Sequence, residues 1–272
     1  MRKTVKIIVV LLKLIILPYS AGANTGEPAT KYIGIGAGWT YGGLRDYGIS
    51  PLYYSGHHAS GEAGYLIYSD SLMVQIEAGY SHGTISPSIY PGPDGSKMKS
   101  IKASADLHYL RYAGSIAGDR IRIYAGGMLT SRFGYYEHNN LMNSARKNYI
   151  FSALNLGGGL AREINAGSGR SMIIFTVEVP VVSLIMRPSY SYIRPEGFLN
   201  HNTGNLESFF SSIEISSVNR FTGAGTSLAI ERKLNSGNKL SLGYRWEYFD
   251  HKNPNRLKSA LHGLSIKTLF SL

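Results

Sequence analysis

Leu240-Ser241-Leu242-Gly243-Tyr244-Arg245-Trp246-Glu247-Tyr248-Phe249 alternates without a break. Successive side chains of an extended chain point to opposite faces, so Leu240, Leu242, Tyr244, Trp246 and Tyr248 share one side. Ser241, Gly243, Arg245, Glu247 and Phe249 share the other. A helical period would mix the two sets, so this stretch is a strand with one apolar and one mostly polar face. The same period recurs along the chain. Ile33, Ile35, Ala37, Trp39 and Tyr41 alternate with Gly34, Gly36, Gly38 and Thr40, and Leu72, Val74, Ile76, Ala78 and Tyr80 with Met73, Gln75, Glu77, Gly79 and Ser81. Ile101 to Tyr109 and Ile121 to Phe133 repeat it. Further segments near 57–69, 148–164, 171–186, 218–234 and 259–272 bring the expectation to about ten strands. The residues around 187–234 leave that count open by two.

Composition agrees. The chain has 272 residues with 32 Gly, 20 Tyr and no Cys, and only 17% of its residues are charged. Disorder needs more charge and fewer aromatics, and a helical bundle tolerates neither this much Gly nor this much Tyr. Without cysteine, disulfide scaffolds, thiolate metal sites, cysteine nucleophiles and acylation of an N-terminal Cys are all excluded.

Residues 1–23 read as a secretory leader. Arg2, Lys3 and Lys6 precede the apolar run Ile7 to Pro18, and Ala21-Gly22-Ala23 supplies a small-residue cleavage site. Lys13 interrupts the run, which is too short for the ~20 residues of a membrane span. The expected domains are a signal peptide over 1–23 and one barrel domain over 24–272. Removing the four leader cations lowers a formal net charge of +11 by four, and no Lys/Arg block suggests a nucleic-acid footprint.

Connections alternate in length. Short polar turns fall at Ser69-Asp70-Ser71, Ala117 to Arg120, Ala166 to Arg170 and Asn235 to Asn238. Longer ones lie near 42–56, 87–97, 139–147, 187–217 and 251–257. An even strand count with alternating short and long connections is the layout of a transmembrane antiparallel up-and-down β-barrel. The polar faces carry Glu62, Glu77, Lys102, Asp106, Arg122, Arg132, Glu178, Arg245 and Glu247, a candidate ion-pair network in the lumen. The apolar faces carry Trp39, Tyr41, Tyr80, Tyr244, Trp246 and Tyr248 near the loop ends, the placement of an interfacial aromatic girdle. Phe133 and Tyr135 fit the same belt.

With these features the mature chain resembles, over nearly its whole length, the outer-membrane β-barrel proteins of Gram-negative bacteria. The resemblance is architectural and names no subfamily. It implies an outer-membrane location and a last strand read by the barrel-assembly machinery, although here the final aromatic, Phe270, is displaced by two from the end. The surrounding lipid and lipopolysaccharide are implied partners. Arg146, Lys147, Lys252 and Arg256 fall in loops where they would meet lipopolysaccharide phosphates.

A ten-stranded lumen is narrow, so side chains should largely fill it. Mixed charges there favour structural ion pairing over a conducting path. Asp106 and His108 share an inward face, with Ser104 or Ser60 as conceivable nucleophiles, yet they sit mid-strand. Asp250 and His251 are adjacent and therefore face opposite ways. His57-His58 lacks a third metal ligand and reads as a solvated rim pair. The Gly34-x-Gly36-x-Gly38 and Gly157-Gly158-Gly159 runs sit inside strands, so a phosphate loop is excluded and room for long lumen side chains is expected. Pro180 should mark a bulge. The 187–217 connection is aromatic enough, with Tyr190, Tyr192, Phe198, Phe209 and Phe210, to be a binding surface for a protein partner. Leu206 to Ile215 within it reads as a short helix or as an extension of the eighth strand.

The resulting expectation is a non-enzymatic outer-membrane β-barrel with a charged, largely filled lumen. It would serve envelope structure, adhesion or partner binding through its extracellular loops, with no cofactor, metal, catalytic residue or nucleic-acid partner. A narrow, porin-like channel for small solutes and a membrane-embedded hydrolase stand as alternatives.

Overall fold

The computed structural model describes residues 29–48, 50–88, 97–118, 120–138, 146–166, 169–187, 213–253 and 255–272. The expected leader over 1–23 lies outside these residues. The strands in chain order are β1 (Thr30–Asp46), β2 (Tyr54–Tyr68), β3 (Leu72–Pro87), β4 (Met98–Ile116), β5 (Ile121–His138) and β6 (Arg146–Ala166). They continue as β7 (Gly169–Met186), β8 (Glu214–Ser217), β9 (Phe221–Lys233), β10 (Lys239–His251) and β11 (Leu257–Ser271). Each pairs antiparallel with its neighbours, and β1 closes on β11 from Tyr32↔Ser271 to Asp46↔Leu257. The ring has ten positions, because the four-residue β8 and the longer β9 share one. β9 pairs with β7 from Ser171↔Arg232 to Glu178↔Gly225, and β8 takes over at Val182↔Ser217. The expected segment 218–234 is thus interrupted from its continuation by the turn at Val218-Asn219-Arg220.

Most strands run 13 to 21 residues, longer than the ~10 a tilted strand needs to cross lipid. Part of the surplus lies toward the long connections. β1, for example, continues through Arg45 and Asp46, beyond the point where its sequence pattern breaks.

Alternation sorts the side chains as the pattern requires. Ile35, Leu156 and Ile266 stand 59%, 69% and 59% exposed on the outer face, with Ile76, Leu129, Val177, Leu242 and Leu264 also outside. The register places Trp246 beside His262, His262 beside Tyr41 and Tyr41 beside His57, one outward row across four strands. Trp39 stacks on His57 at 4.9 Å, and the Tyr244 hydroxyl lies 2.7 Å from His262 Nδ1. These rings form one aromatic patch on the outer face.

Pro180 does mark a bulge. Asn155 faces Pro180 and Leu154 faces Val182, leaving Val181 extra. Pro cannot donate to a ladder, so the irregularity falls where a hydrogen bond is already missing. The shift changes which residues of β7 point inward, from Thr176, Glu178 and Pro180 below to Ser183 and Ile185 above.

Candidate functional site

The lumen is a stack of layers. In the middle, Arg132 on β5 reaches across the barrel to Glu247 on β10, with Nη2 at 2.5 Å and Nε at 3.0 Å from the two carboxylate oxygens. Its Nη1 also reaches Asp106 at 2.5 Å, and Arg245 holds the other Asp106 oxygen at 2.8 Å while contacting Glu247. Asn155 donates to Glu178 at 2.5 Å, and Arg245 lies 3.9 Å from the same carboxylate. Below, Lys267 bridges Glu62 at 3.2 Å and Glu77 at 2.5 Å. Buried charges are tolerated only when paired in this way. Gly225 sits under Glu178, where an added Cβ would lie 2.5 Å from its carboxylate oxygen, so glycine there makes room for the network.

The structure therefore brings Glu62, Glu77, Asp106, Arg132, Glu178, Arg245 and Glu247 into one lumen. Lys102 lines the same chamber without a carboxylate within ion-pair distance among the described residues. Arg122 is a correction. It stands at the opposite end from the long connections, bound to Asp70 of a short turn and to Glu163 at 2.7 Å, because β5 begins only one residue before it. Lys267 belongs to the network and was missed, although its inward parity on β11 was readable.

Above the charges lies an aromatic and aliphatic layer: Tyr136, Tyr149, Phe151, Phe221 and Phe249 pack with Leu44, Tyr54, Ile85, Met98, Ile185 and Leu257. Phe151 and Phe249 meet at 4.7 Å, and Tyr149 stacks on Phe151 at 6.1 Å. Sequence reasoning assigned aromatics to the lipid face and missed this plug. The signal was parity, since these residues fall on the inward side of their strands. A second closure stands at the opposite end. There Met73, Leu110, Tyr124, Met128, Ala161 and Ile174 pack together, and Tyr32, Leu66 and Leu269 form a neighbouring group. The Lys239 ammonium lies 4.7 Å from the rings of both Tyr32 and Tyr68, and 2.9 Å from Glu231. Between the closures lie cavities of about 130 Å³ and 90 Å³ with mixed polar linings, room for a few waters.

On top of the plug, Asp46 on β1 receives Lys147 of β6 at 3.1 Å and Arg187 after β7. Arg187 also donates to the Asn255 carbonyl, tying the β10–β11 connection to the mouth. Lys147 corrects the sequence expectation of a solvated loop cation: its side chain is 2% exposed and points inward, because β6 starts earlier than the pattern suggests. His57-His58 is also corrected. Only His57 faces out, and His58 is 1% exposed in the lumen, as strand alternation demands of adjacent residues.

The acid-base candidates do not assemble. Both Asp106 oxygens are committed to Arg132 and Arg245, and His108 Nε2 has no partner. Asp250 turns outward to Arg256, with Nη2 at 2.6 Å, while His251 is buried inward. Among the described residues, no group of three or more His, Cys, Asp or Glu is arranged to hold a metal ion. Tyr190, Tyr192, Phe198, Phe209 and Phe210 lie outside the described residues. Of the segment Leu206 to Ile215, the described part from Glu214 is strand, continuing the barrel wall as β8.

A closed antiparallel ten-stranded barrel with an apolar belt outside and a packed lumen inside has the architecture of the outer-membrane β-barrel class. The comparison of structures agrees at the level of fold. The chain is similar to the outer membrane protease OmpT from Escherichia coli at TM-score 0.50 and 8% identity, over 93% of this chain and 99% of that one. It is also similar to the transport unit of the autotransporter AIDA-I from Escherichia coli, at TM-score 0.40 and 10% identity over 97% of each chain. The translocator domain of the autotransporter NalP from Neisseria meningitidis matches at TM-score 0.37 and 7% identity, over 99% and 97%. No protein-family model matches the chain, and no curated protein matches it.

Proposed function

We propose that this chain is a non-enzymatic outer-membrane barrel, closed to axial flow, that acts through its extracellular face. The outer surface supports the membrane location: a continuous belt of aliphatic side chains bordered by Trp and Tyr exceeds what a soluble monomer exposes. The observation that carries the closed-barrel reading is the plug around Tyr149, Phe151, Phe221 and Phe249, backed by paired charges below and the Asp46 triad above. A narrow channel needs a polar path from mouth to mouth, and two apolar layers interrupt it. A hydrolase is disfavoured because Asp106 is spent on two guanidinium groups.

With the lumen filled, binding falls to the rim and loops, including the 187–217 connection and its aromatic residues. Lys252, Arg256, Arg45 and Lys258 supply cations at the outer rim for lipopolysaccharide phosphates, and Arg45 and Lys258 are direct cross-strand neighbours. The final strand, with Phe270 on its lipid face, is the element for the assembly machinery to read, and residues 1–23 serve as a cleaved leader. Planar-bilayer recording tests the central point. The reading expects no steady single-channel current, and a steady ohmic conductance would replace it with the channel alternative. Deleting residues 196–210 and comparing captured partners and heat-modifiable migration tests the loop.

A further inference from the structure

The wall of the barrel is not uniform. The β7–β9 ladder stops at Glu178↔Gly225, and β7 next pairs at Val182, with β8. Val179, Pro180 and Val181 on one side and Phe221 to Ala224 on the other lie between these two ladders. Val179 and Val181 are 49% and 41% exposed on the outer face, so the gap lies on the apolar surface. Val179 and Pro180 stay paired to β6, and Phe221 to Ala224 to β10, so only the edges facing the seam lack a ladder. Such an edge at membrane depth is tolerated only where it is buried in protein or lines a wet cavity.

A cavity of about 40 Å³ lies behind this gap, and its lining joins Pro180 and Gly223 of the gap to Asn155, Glu178, Phe221 and Phe249 of the lumen. Gly223 keeps the seam from being filled: an added Cβ would lie 2.9 Å from the Tyr248 carbonyl oxygen and 3.4 Å from the Pro180 ring. Asn155 is 4% exposed, and its Oδ1 has no hydrogen-bond partner. Its amide nitrogen is already used on Glu178 and Thr130. Asn155 and the Glu178 carboxylate thus line the cavity beside aromatic rings. Tyr248 on the outer side and Arg132 and Glu247 of the charged layer also line it.

We propose that this seam is a lateral binding site for a single-chain amphiphile whose head donates a hydrogen bond, an alcohol or a primary amine. The head enters the cavity to reach Asn155 Oδ1 and Glu178. The tail remains outside along Val179 and Val181, since the cavity has room for a head group and not for a chain. The site goes beyond axial closure and does not depend on it, because an axial current and a lateral occupant are read by different measurements.

The test uses the full protein in phosphatidylcholine vesicles and a long-chain alcohol carrying a diazirine next to its hydroxyl. After irradiation, adducts are mapped by peptide mass spectrometry. Adducts on the inward residues Phe221 or Phe249, suppressed by excess decanol and not by decane, are expected. Adducts confined to outward residues such as Val179 and Leu228 would overturn the site. Asn155→Leu keeps the side-chain volume and removes the acceptor, so about ten-fold weaker suppression by decanol is expected at unchanged heat-modifiable migration. Unchanged suppression in that folded variant would also overturn it. Gly223→Val, which fills the space against Pro180, should abolish the inward adducts, and if it fails to fold the wild-type map and Asn155→Leu still decide.

Discussion

Lys147 Nζ and Asp46 Oδ1 lie 3.1 Å apart although β6 and β1 stand on opposite walls of the barrel. With Arg187 on the same carboxylate, this contact spans the mouth and is almost wholly shielded from solvent. Removing one partner of a buried ion cluster leaves uncompensated charge and costs about 3–5 kcal/mol, whereas replacing the set by apolar groups need not destabilise. Asp46→Asn should therefore lower the urea midpoint of the refolded barrel sharply, and Asp46→Asn with Lys147→Met should recover part of the loss. Equal midpoints for wild type and Asp46→Asn would show that the triad contributes nothing.

Phe249 stands at the centre of the plug, in contact with Tyr149, Phe151 and Phe221. Truncating a packed aromatic costs about 3–5 kcal/mol. Phe249→Ala alone should reduce stability by that order without conductance, because the remaining rings still block the lumen. Phe151→Ala with Phe221→Ala and Phe249→Ala should produce brief openings in bilayer recordings. A silent triple variant that still folds would place the barrier in the charged layer or in the closure at the opposite end.

Leu242 faces outward at 53% exposure, while its neighbour Ser241 is buried inside. Leu242→Arg should cost about 2–4 kcal/mol at the bilayer midplane. The expected readout is a lower unfolding midpoint in vesicles together with slower insertion. An Arg tolerated there at no cost would contradict a lipid-facing position.

Glu214 on β8 accepts hydrogen bonds from Asn253 at 2.7 Å and Arg220 at 3.1 Å. Burial by itself would raise this carboxyl, but those donors hold it below the ordinary glutamate value. A depressed carboxyl contributes stability that is complete above its unfolded pKa, about 4.3, and is lost as pH falls through the folded value. Hydrogen exchange at Ile215 and Ser217 should accelerate as pH drops below about 4, after correction for intrinsic rates. Glu214→Gln should remove that dependence. Identical profiles in the two proteins would detach β8 from this contact.

The period-two pattern and the short-long spacing of connections determined an up-and-down barrel of about ten strands, the lipid-facing set and the parity of Glu62, Glu77, Asp106, Arg132, Glu178, Arg245 and Glu247. Those features are local, because side-chain direction in a strand follows from the backbone. Strand ends were harder to read. β6 begins before the pattern becomes regular and so carries Lys147 inside, whereas the start of β5 at Ile121 was legible and already put Arg122 at the rim. Only the tertiary structure decided which inward residues meet across the lumen. Closure sets Asp46 against Lys147 and Arg132 against Glu247 at sequence separations of about a hundred residues, which no alternation encodes. The inward aromatics show the same limit. Their parity was visible, but a ring is equally at home in lipid or in a core, and only the register of ten closed strands stacks Tyr149, Phe151, Phe221 and Phe249 into a plug.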